Sequence, residues 1–565
     1  MRLKTMKRQD LKIIGLALTS AFVLSGCNLF PRSSSNESSI PATSKGQTSE
    51  ASSAFSSSSE EEPEESDTNP IAKTKFQYNY KDYSDHCYIN NDVTPSIGNP
   101  KLLVIPIWFT DSTHCIHENH KEDVRQDIET AYFGTEEEVG WQSVKTYYQT
   151  LSQGRCNLDG VVTPWYEIGE SMAAYGNDQN ATKNLVKTAA NWYFAQENSL
   201  PRSYFDTDND GHLDGVMLIY AAPDYASAYN DWDSNNDGRE NFWAYTSWTL
   251  DDANLETPTP NAFFWASYDF MYDTSTANVR TGLYFYGVGD ATNCNVDSHA
   301  FIHEMGHMFG LSDYYDYSGQ YTPAGGFSMQ DSNVGSHDPF SALALGWADP
   351  YVPETSCTLT IKPFQSKGHD LVLLQPDGFN VDKSPFDEYV LLELYTPTGL
   401  NQFDCEFTYR EYTGQRQGPS EVGLRIWHVD SRLVKINERP GRISVDATHP
   451  KKVPDEDDLY LMMTNTYYSS REDMSARLSV CGAGYYNYNL LQLIRNDTTA
   501  TYQCSSTFSG ADLFGNGSQF TCSKYNGQFV NGKKLNSGDT LGWTVNVTIT
   551  GEGKDTRATL QLFRD

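Results

Sequence analysis

His303-Glu304-Met305-Gly306-His307-Met308-Phe309-Gly310-Leu311-Ser312-Asp313 is the stretch on which the reading of this 565-residue chain turns. The two histidines stand four apart. On a helix that spacing puts both imidazoles on one face, about one turn apart. Two ring nitrogens so placed can reach one zinc ion at ~2.0–2.1 Å. Glu304 lies beside them, where it can hold water. Gly310 tolerates the positive φ that stops a helix. The chain can then turn back and bring Asp313 to the same ion, leaving a fourth position open, as a catalytic zinc site requires. The pattern predicts a helix over 300–309, with His303, His307 and Asp313 as zinc ligands and Glu304 as general base. Two neutral imidazoles and one carboxylate leave the site net positive, which suits an oxyanion. A bare HExxH also occurs by chance on amphipathic helices. The Gly and Asp at fixed offsets are what make this one specific.

Around the motif, strand and helix patterns alternate. Residues 101–111 (KLLVIPIWFTD) form a near-continuous apolar run and read as a buried strand, with Pro106 at an edge or bulge. Residues 143–151 and 184–197 read as helices, and 215–222 and 282–288 as further strands. Past residue 350 the pattern changes to short alternating runs at 358–361, 389–394, 423–429, 459–463 and 543–549, separated by turn residues. The expected fold class is α+β: a mixed α/β catalytic domain over 71–350, followed by an all-β, sandwich-like domain over 351–565.

The HExxHxxGxxD run resembles that of the metzincin clan, whose members share a methionine turn beneath the zinc. Gly325-Gly326-Phe327-Ser328-Met329 is similar to that turn, with Met329 as its methionine. More narrowly, the chain resembles the immune inhibitor A family of bacterial metallopeptidases. The likeness lies in Gly310-Leu311-Ser312-Asp313-Tyr314-Tyr315-Asp316 (the family usually has Pro at the position of Ser312), Met329-Gln330-Asp331 and Asp338-Pro339-Phe340-Ser341. It continues in Leu345-Gly346-Trp347, the stretch 143–159, and Gly423-Leu424-Arg425-Ile426-Trp427-His428-Val429-Asp430. The resemblance implies a zincin-like fold, one catalytic Zn2+ and an endopeptidase acting on protein or peptide substrates. Several metzincins place a Tyr two residues after the methionine; Asp331 stands there here. Tyr314, Tyr315 and His337 are candidate substitutes. Asp316 is an alternative third ligand, at an offset foreign to the clan. The rival reading is a binding or adhesion lipoprotein on the same fold that no longer cuts. Glu304 argues against it and Asp331 for it.

Asp206-Thr207-Asp208-Asn209-Asp210-Gly211-His212-Leu213-Asp214 matches the first nine positions of a calcium loop. Acids at alternate positions supply oxygens, Gly211 makes the turn, and His212 offers its backbone carbonyl. Met217 replaces the closing glutamate, so this is no EF-hand. Asp206, Asp208, Asp210, His212 and Asp214 are the expected structural Ca2+ set. Residues 233–238 repeat the spacing more weakly. His428 and Asp430 alternate on a strand and share a face, which reads as a hydrogen-bonded sheet or domain contact before it reads as a second metal site.

The formal net charge of -33 argues against a nucleic-acid partner, since phosphate contacts need Lys and Arg. Aromatics make up 13% of the chain, too many for a disordered protein, so most of it folds. At the N-terminus, Arg2, Lys4, Lys7, Arg8 and Lys12 precede an apolar run over 13–24 that is too short for a membrane span. It ends in Leu24-Ser25-Gly26-Cys27, which resembles the bacterial lipobox. The expectation is a signal peptide over 1–26, lipidation at Cys27, and a Ser/Glu-rich flexible tether over 27–70. That places the protein on the extracellular face of a bacterial membrane, lipid-anchored or shed. Ten cysteines are present, with no close CxxC pair to suggest a cysteine metal site. Nothing indicates oligomerisation, and a monomer is assumed.

Overall fold

The computed structural model describes residues 68–75, 93–176, 179–224, 241–272, 296–315, 321–331, 333–366, 369–379, 386–406, 418–439, 442–451, 459–461, 489–502 and 504–565. The strand expected at 282–288, the second Asp/Asn loop at 233–238, Asp316 and Cys27 lie outside the described residues.

The apolar run becomes β1 (Lys101–Trp108), in which every residue after Lys101 is buried. Burial on both faces is the mark of an interior strand of a parallel sheet. β1 pairs in parallel with β2 (Asp159–Val162), β3 (Tyr166–Glu167) and β4 (Gly215–Tyr220). β5 (Tyr245–Trp248) and β6 (Ala262–Ser267) complete the sheet in the order β2-β1-β4-β6-β5. β6 runs parallel to β4, and β5 runs antiparallel to β6 as the last strand.

Pro106 corrects an expectation. It stands in a strand paired on both sides, not at an edge. Val104 and Trp108 accept bonds from Thr163 N and Ile168 N on one side, and Ile107 accepts from Ala221 N on the other. Backbone groups alternate along a strand. Pro106 therefore faces the break between β2 and β3, where no N–H is required.

Helices α1 (Lys121–Phe133), α2 (Val144–Leu151), α3 (Gln179–Phe194), α4 (His299–Met308) and α5 (Pro339–Ala344) accompany this sheet. α3 begins at Gln179 rather than Asn184, because a polar first turn hides its start. Ser143 caps α2 through a reciprocal pair with Thr146. Tyr148 of α2 donates to Ile302 O at 2.7 Å, which fastens α2 to α4. α4 buries Phe301, Met305 and Met308 at helical spacing and keeps His303 and His307 part-exposed.

The later region is built from strands, as expected. These are β7 (Cys357–Ile361), β8 (Leu371–Leu374), β9 (Glu388–Tyr395), β10 (Gly423–Asp430), β11 (Leu433–Arg439), β12 (Arg442–Lys451), β13 (Leu459–Leu461), β14 (Leu491–Ile494), β15 (Gln519–Phe520), β16 (Trp543–Thr550) and β17 (Arg557–Arg564). Two four-stranded sheets, β14-β10-β9-β8 and β15-β16-β17-β7, accompany a three-stranded sheet, β12-β11-β13. Val390, Leu392, Leu394, Leu424 and Ile426 meet Leu359, Val545, Val547 and Leu560 in a core between the two larger sheets. The alternate positions of the same two strands, Leu391, Tyr395, Trp427 and Val429, join the core of the catalytic region instead. β9 and β10 are thus buried along their whole length. Each such apolar side chain contributes about 1.5–3 kcal/mol.

The first described segment also meets the β region. Asn69 exchanges hydrogen bonds with the backbone of Thr360, Lys73 pairs with Asp370 at 2.7 Å, and Thr74 N donates to Pro350 O. No helix among the described residues is long and apolar enough to cross a membrane.

Candidate metal centre

α4 ends as its sequence suggests. Gly310 has φ +98°, Leu311 N donates to Gly306 O at 3.1 Å, and Gly310 N donates to His307 O at 2.9 Å. This is a Schellman stop, and it reverses the chain. Asp313 returns to the helix with Oδ1 3.2 Å from His303 Nε2 and 3.3 Å from His307 Nε2. Among the described residues, two groups of side chains converge closely enough to hold an ion. One is His303, His307 and Asp313; the other is Asp206, Asp208 and Asp210.

The chemistry of the first group fits a cation. His303 Nδ1 donates to Met329 O at 2.6 Å, and His307 Nδ1 donates to Leu311 O at 2.8 Å. With Nδ1 protonated, each neutral ring turns a lone pair at Nε2 toward the Asp313 oxygen. Lone pairs that close require positive charge, on them or between them. The acid–base balance agrees. Burial pulls the His307 imidazolium down, but Asp313 raises it to about 9. Burial opposes ionising Asp313, yet the facing histidines hold it well below the usual carboxylate range. A cluster of this kind recruits a proton or a metal.

Glu304 sits beside the group and is buried. Burial pushes its carboxyl above the usual range, against the pull of His307 and His303. Thr246 of β5 holds it. The Thr246 hydroxyl is 3.0 Å from both Oε2 and the backbone carbonyl of Glu304. Met329 is buried beneath the site, and Ser328 before it takes φ +109°. Ser328 donates to Asp338 Oδ2 at 2.8 Å, which holds that unusual turn.

Two of the candidates for the absent tyrosine are packed away. Tyr314 is fully buried, with its hydroxyl 3.0 Å from Ser341 Oγ. His337 is buried, with one ring nitrogen 2.8 Å from Tyr147 OH and the other 3.1 Å from Gln330 Oε1. Tyr315 is part-exposed. Asp331 is buried, and its N–H donates to Ser328 O at 2.8 Å.

Gly306 has its own reason to be glycine. A Cβ there would lie 2.1 Å from Gln330 Oε1, and Gln330 is fully buried. Alanine favours a helix by ~1 kcal/mol, but here the overpacking dominates. Gly306→Ala is expected to lower stability by about 1–3 kcal/mol in denaturant unfolding of the metal-free protein.

In the acidic loop, Asp206 accepts from Asp210 N at 3.0 Å and Gly211 N at 3.2 Å, and Asp208 and Asp210 converge beside it. The converging side chains do not include Asp214. The Asp214 carboxylate is turned inward, accepting from Thr207 N, Thr207 Oγ1 and Lys101 N, whereas His212 is expected to contribute only its backbone carbonyl. His428 and Asp430 belong to a buried network, with His428 Nε2 2.7 Å from Glu388 Oε1 and Arg432 bonded to both Asp430 oxygens.

A mixed sheet with an antiparallel last strand, a helix presenting two imidazoles and a returning carboxylate together describe a metallopeptidase. Residues 82–338 match the family model described as Immune inhibitor A peptidase M6, catalytic domain. The match implies a metal and a protein or peptide substrate. A comparison with curated proteins finds no match.

Proposed function

We propose that the protein is a zinc-dependent endopeptidase that cleaves extracellular proteins from the outside of a bacterial cell. One observation carries the reading: His303 and His307 donate from Nδ1 to backbone carbonyls and aim Nε2 at the Asp313 carboxylate. Imidazole nitrogen, imidazole nitrogen and carboxylate form a donor set suited to zinc. Zinc, when bound there, supplies a Lewis acid that polarises a peptide carbonyl and acidifies water.

The remaining steps belong to the chain. Glu304, with its proton affinity raised by burial, takes the proton of the attacking water and passes it to the leaving amine nitrogen. Thr246 fixes the rotamer in which it does so. A structural calcium ion at Asp206, Asp208 and Asp210 belongs to the same proposal, supported by their convergence and by the backbone N–H groups that orient Asp206. So does a lipid anchor at Cys27, supported by the basic, apolar and small-residue succession before it.

The competing reading, a surface binding protein on a retired peptidase fold, is favoured by Asp331 standing where a tyrosine serves other metzincins. One experiment separates them. Purified full chain is given an unfolded protein substrate, stripped with a chelator and reloaded with zinc. Cleavage that stops on stripping and returns with about one zinc per chain is the expected result. Zinc uptake without cleavage supports the binding reading, and no uptake removes the metal centre.

A further inference from the structure

Gln330 touches the candidate metal centre in several places at once. Its side-chain amide lies 3.2 Å from His307 Nδ1. Its backbone carbonyl accepts from Tyr314 N at 2.7 Å, the residue after Asp313. Its amide group fills the space over Gly306 in α4. The residue before it, Met329, accepts from His303 Nδ1. Two consecutive residues therefore reach every candidate ligand, directly or through one neighbour.

Behind Gln330 runs a buried polar chain. The far end of its amide is 3.1 Å from His337 Nε2, and His337 Nδ1 is 2.8 Å from Tyr147 OH. Tyr147 donates to Gly335 O at 2.9 Å and accepts from His337 N at 3.0 Å. Gln330 and Tyr147 are fully buried and His337 is 1% exposed, so no solvent competes for these bonds. A single proton arrangement satisfies the series. His307 carries one proton on Nδ1 and shares it between Leu311 O at 2.8 Å and the amide end at 3.2 Å, so that end is the oxygen, which a half-turn of the amide provides. The amide nitrogen then donates to His337 Nε2, and His337 Nδ1–H donates to Tyr147. His337 must be neutral for this. Burial first, and the neighbouring histidines second, keep its pKa well below the usual value.

We infer that Gln330 is a positioning residue for the metal ligands, orienting His307 through its Nδ1 proton and itself held in register by His337 and Tyr147. The inference rests on the zinc reading above. The glycine inside the histidine motif is then part of the device, since it makes room for the amide.

The test is the zinc affinity of the metal-stripped full chain, measured by chelator competition, with thermal unfolding of the metal-free protein as a control for folding. Gln330→Ala is expected to weaken zinc binding about 10- to 100-fold, with a lowered but still cooperative metal-free unfolding transition, because His337 loses a buried partner. Gln330→Glu keeps an acceptor for His307 and is expected to restore most of that loss. His337→Phe keeps the ring volume but drops the chain, and is expected to weaken zinc several-fold. The double variant Gln330→Ala/His337→Phe should bind no more weakly than Gln330→Ala alone, because both act through one contact. Wild-type affinity in a folded Gln330→Ala, losses that simply add, or a glutamate that restores nothing would each overturn the inference. If Gln330→Ala does not fold, Gln330→Glu and His337→Phe decide it. No zinc on the unmodified chain would overturn the metal-centre reading and this one with it. Full zinc on every variant would overturn the role of Gln330 alone.

Discussion

Glu304→Ala is expected to lower hydrolysis of an unfolded protein by about 100- to 10,000-fold, the range for a positioned general base, while bound zinc stays at the level of the unmodified chain. The separation follows from the geometry. Glu304 lies outside the converging group of His303, His307 and Asp313, and its carboxylate is held instead by Thr246. Truncating it removes a proton acceptor and leaves the donor atoms where they were. Stability should not suffer, because a buried carboxyl above its usual range is a group the fold holds at a cost. Cleavage and metal content measured side by side on the two proteins check the point. Loss of zinc together with activity would mean that Glu304 organises the ligands rather than serving the chemistry.

The second large effect lies away from the site. Glu393 of β9 and Arg425 of β10 are 1% and 3% exposed, with Arg425 Nε 3.5 Å from Glu393 Oε1. Trp427 Nε1 donates to the same carboxylate oxygen at 2.9 Å. The guanidinium lies 4.0 Å from the centre of the Tyr395 ring and 5.5 Å from that of Phe327. Glu393→Ala would leave a buried guanidinium without its counter-charge, and a loss of about 3–5 kcal/mol in denaturant unfolding is expected. The pair is imperfect, however. Glu393 Oε2 and Arg425 Nη2 find no hydrogen-bond partner among the described residues. Replacing both residues with methionine should therefore recover most of the loss, because desolvation of both charges disappears along with their attraction. A double variant as unstable as Glu393→Ala would show that the cation's stacking on Tyr395 and Phe327 matters more than the charge pair.

Much of the catalytic region was legible because its signals are local. The imidazole spacing, the glycine stop and the returning Asp313 lie within one short stretch, and the Schellman bonds form as that stretch implies. The later strands were legible through their alternation. What escaped notice depends on distant partners. Thr246 reaches Glu304 from a strand 58 residues away, and nothing in Tyr-Thr-Ser-Trp marks it. Gln330 was visible as a family likeness at Met329-Gln330-Asp331, but only packing shows its amide against Gly306. His337 looked like a donor to the site because histidines often are, and its two buried contacts assign it elsewhere. Pro106 misled because a strand signal cannot show that the neighbouring strand is broken opposite it. Tyr389-Val390-Leu391-Leu392 held a clue that alternation alone passes over: a run apolar at consecutive positions has something to bury on each side.

That double-sided sheet redraws the chain's internal borders. The family match ends at residue 338, yet the loop bearing Met329 is stitched from beyond it. Leu493 N donates to Pro323 O, Phe508 N to Gly325 O, and Thr322 N to Cys504 O. Inherited sequence and mechanical integrity thus have different extents in this molecule. The recognisable enzyme is an engine whose mounting lies in a neighbouring part, and a gene cut where the likeness stops would separate the two.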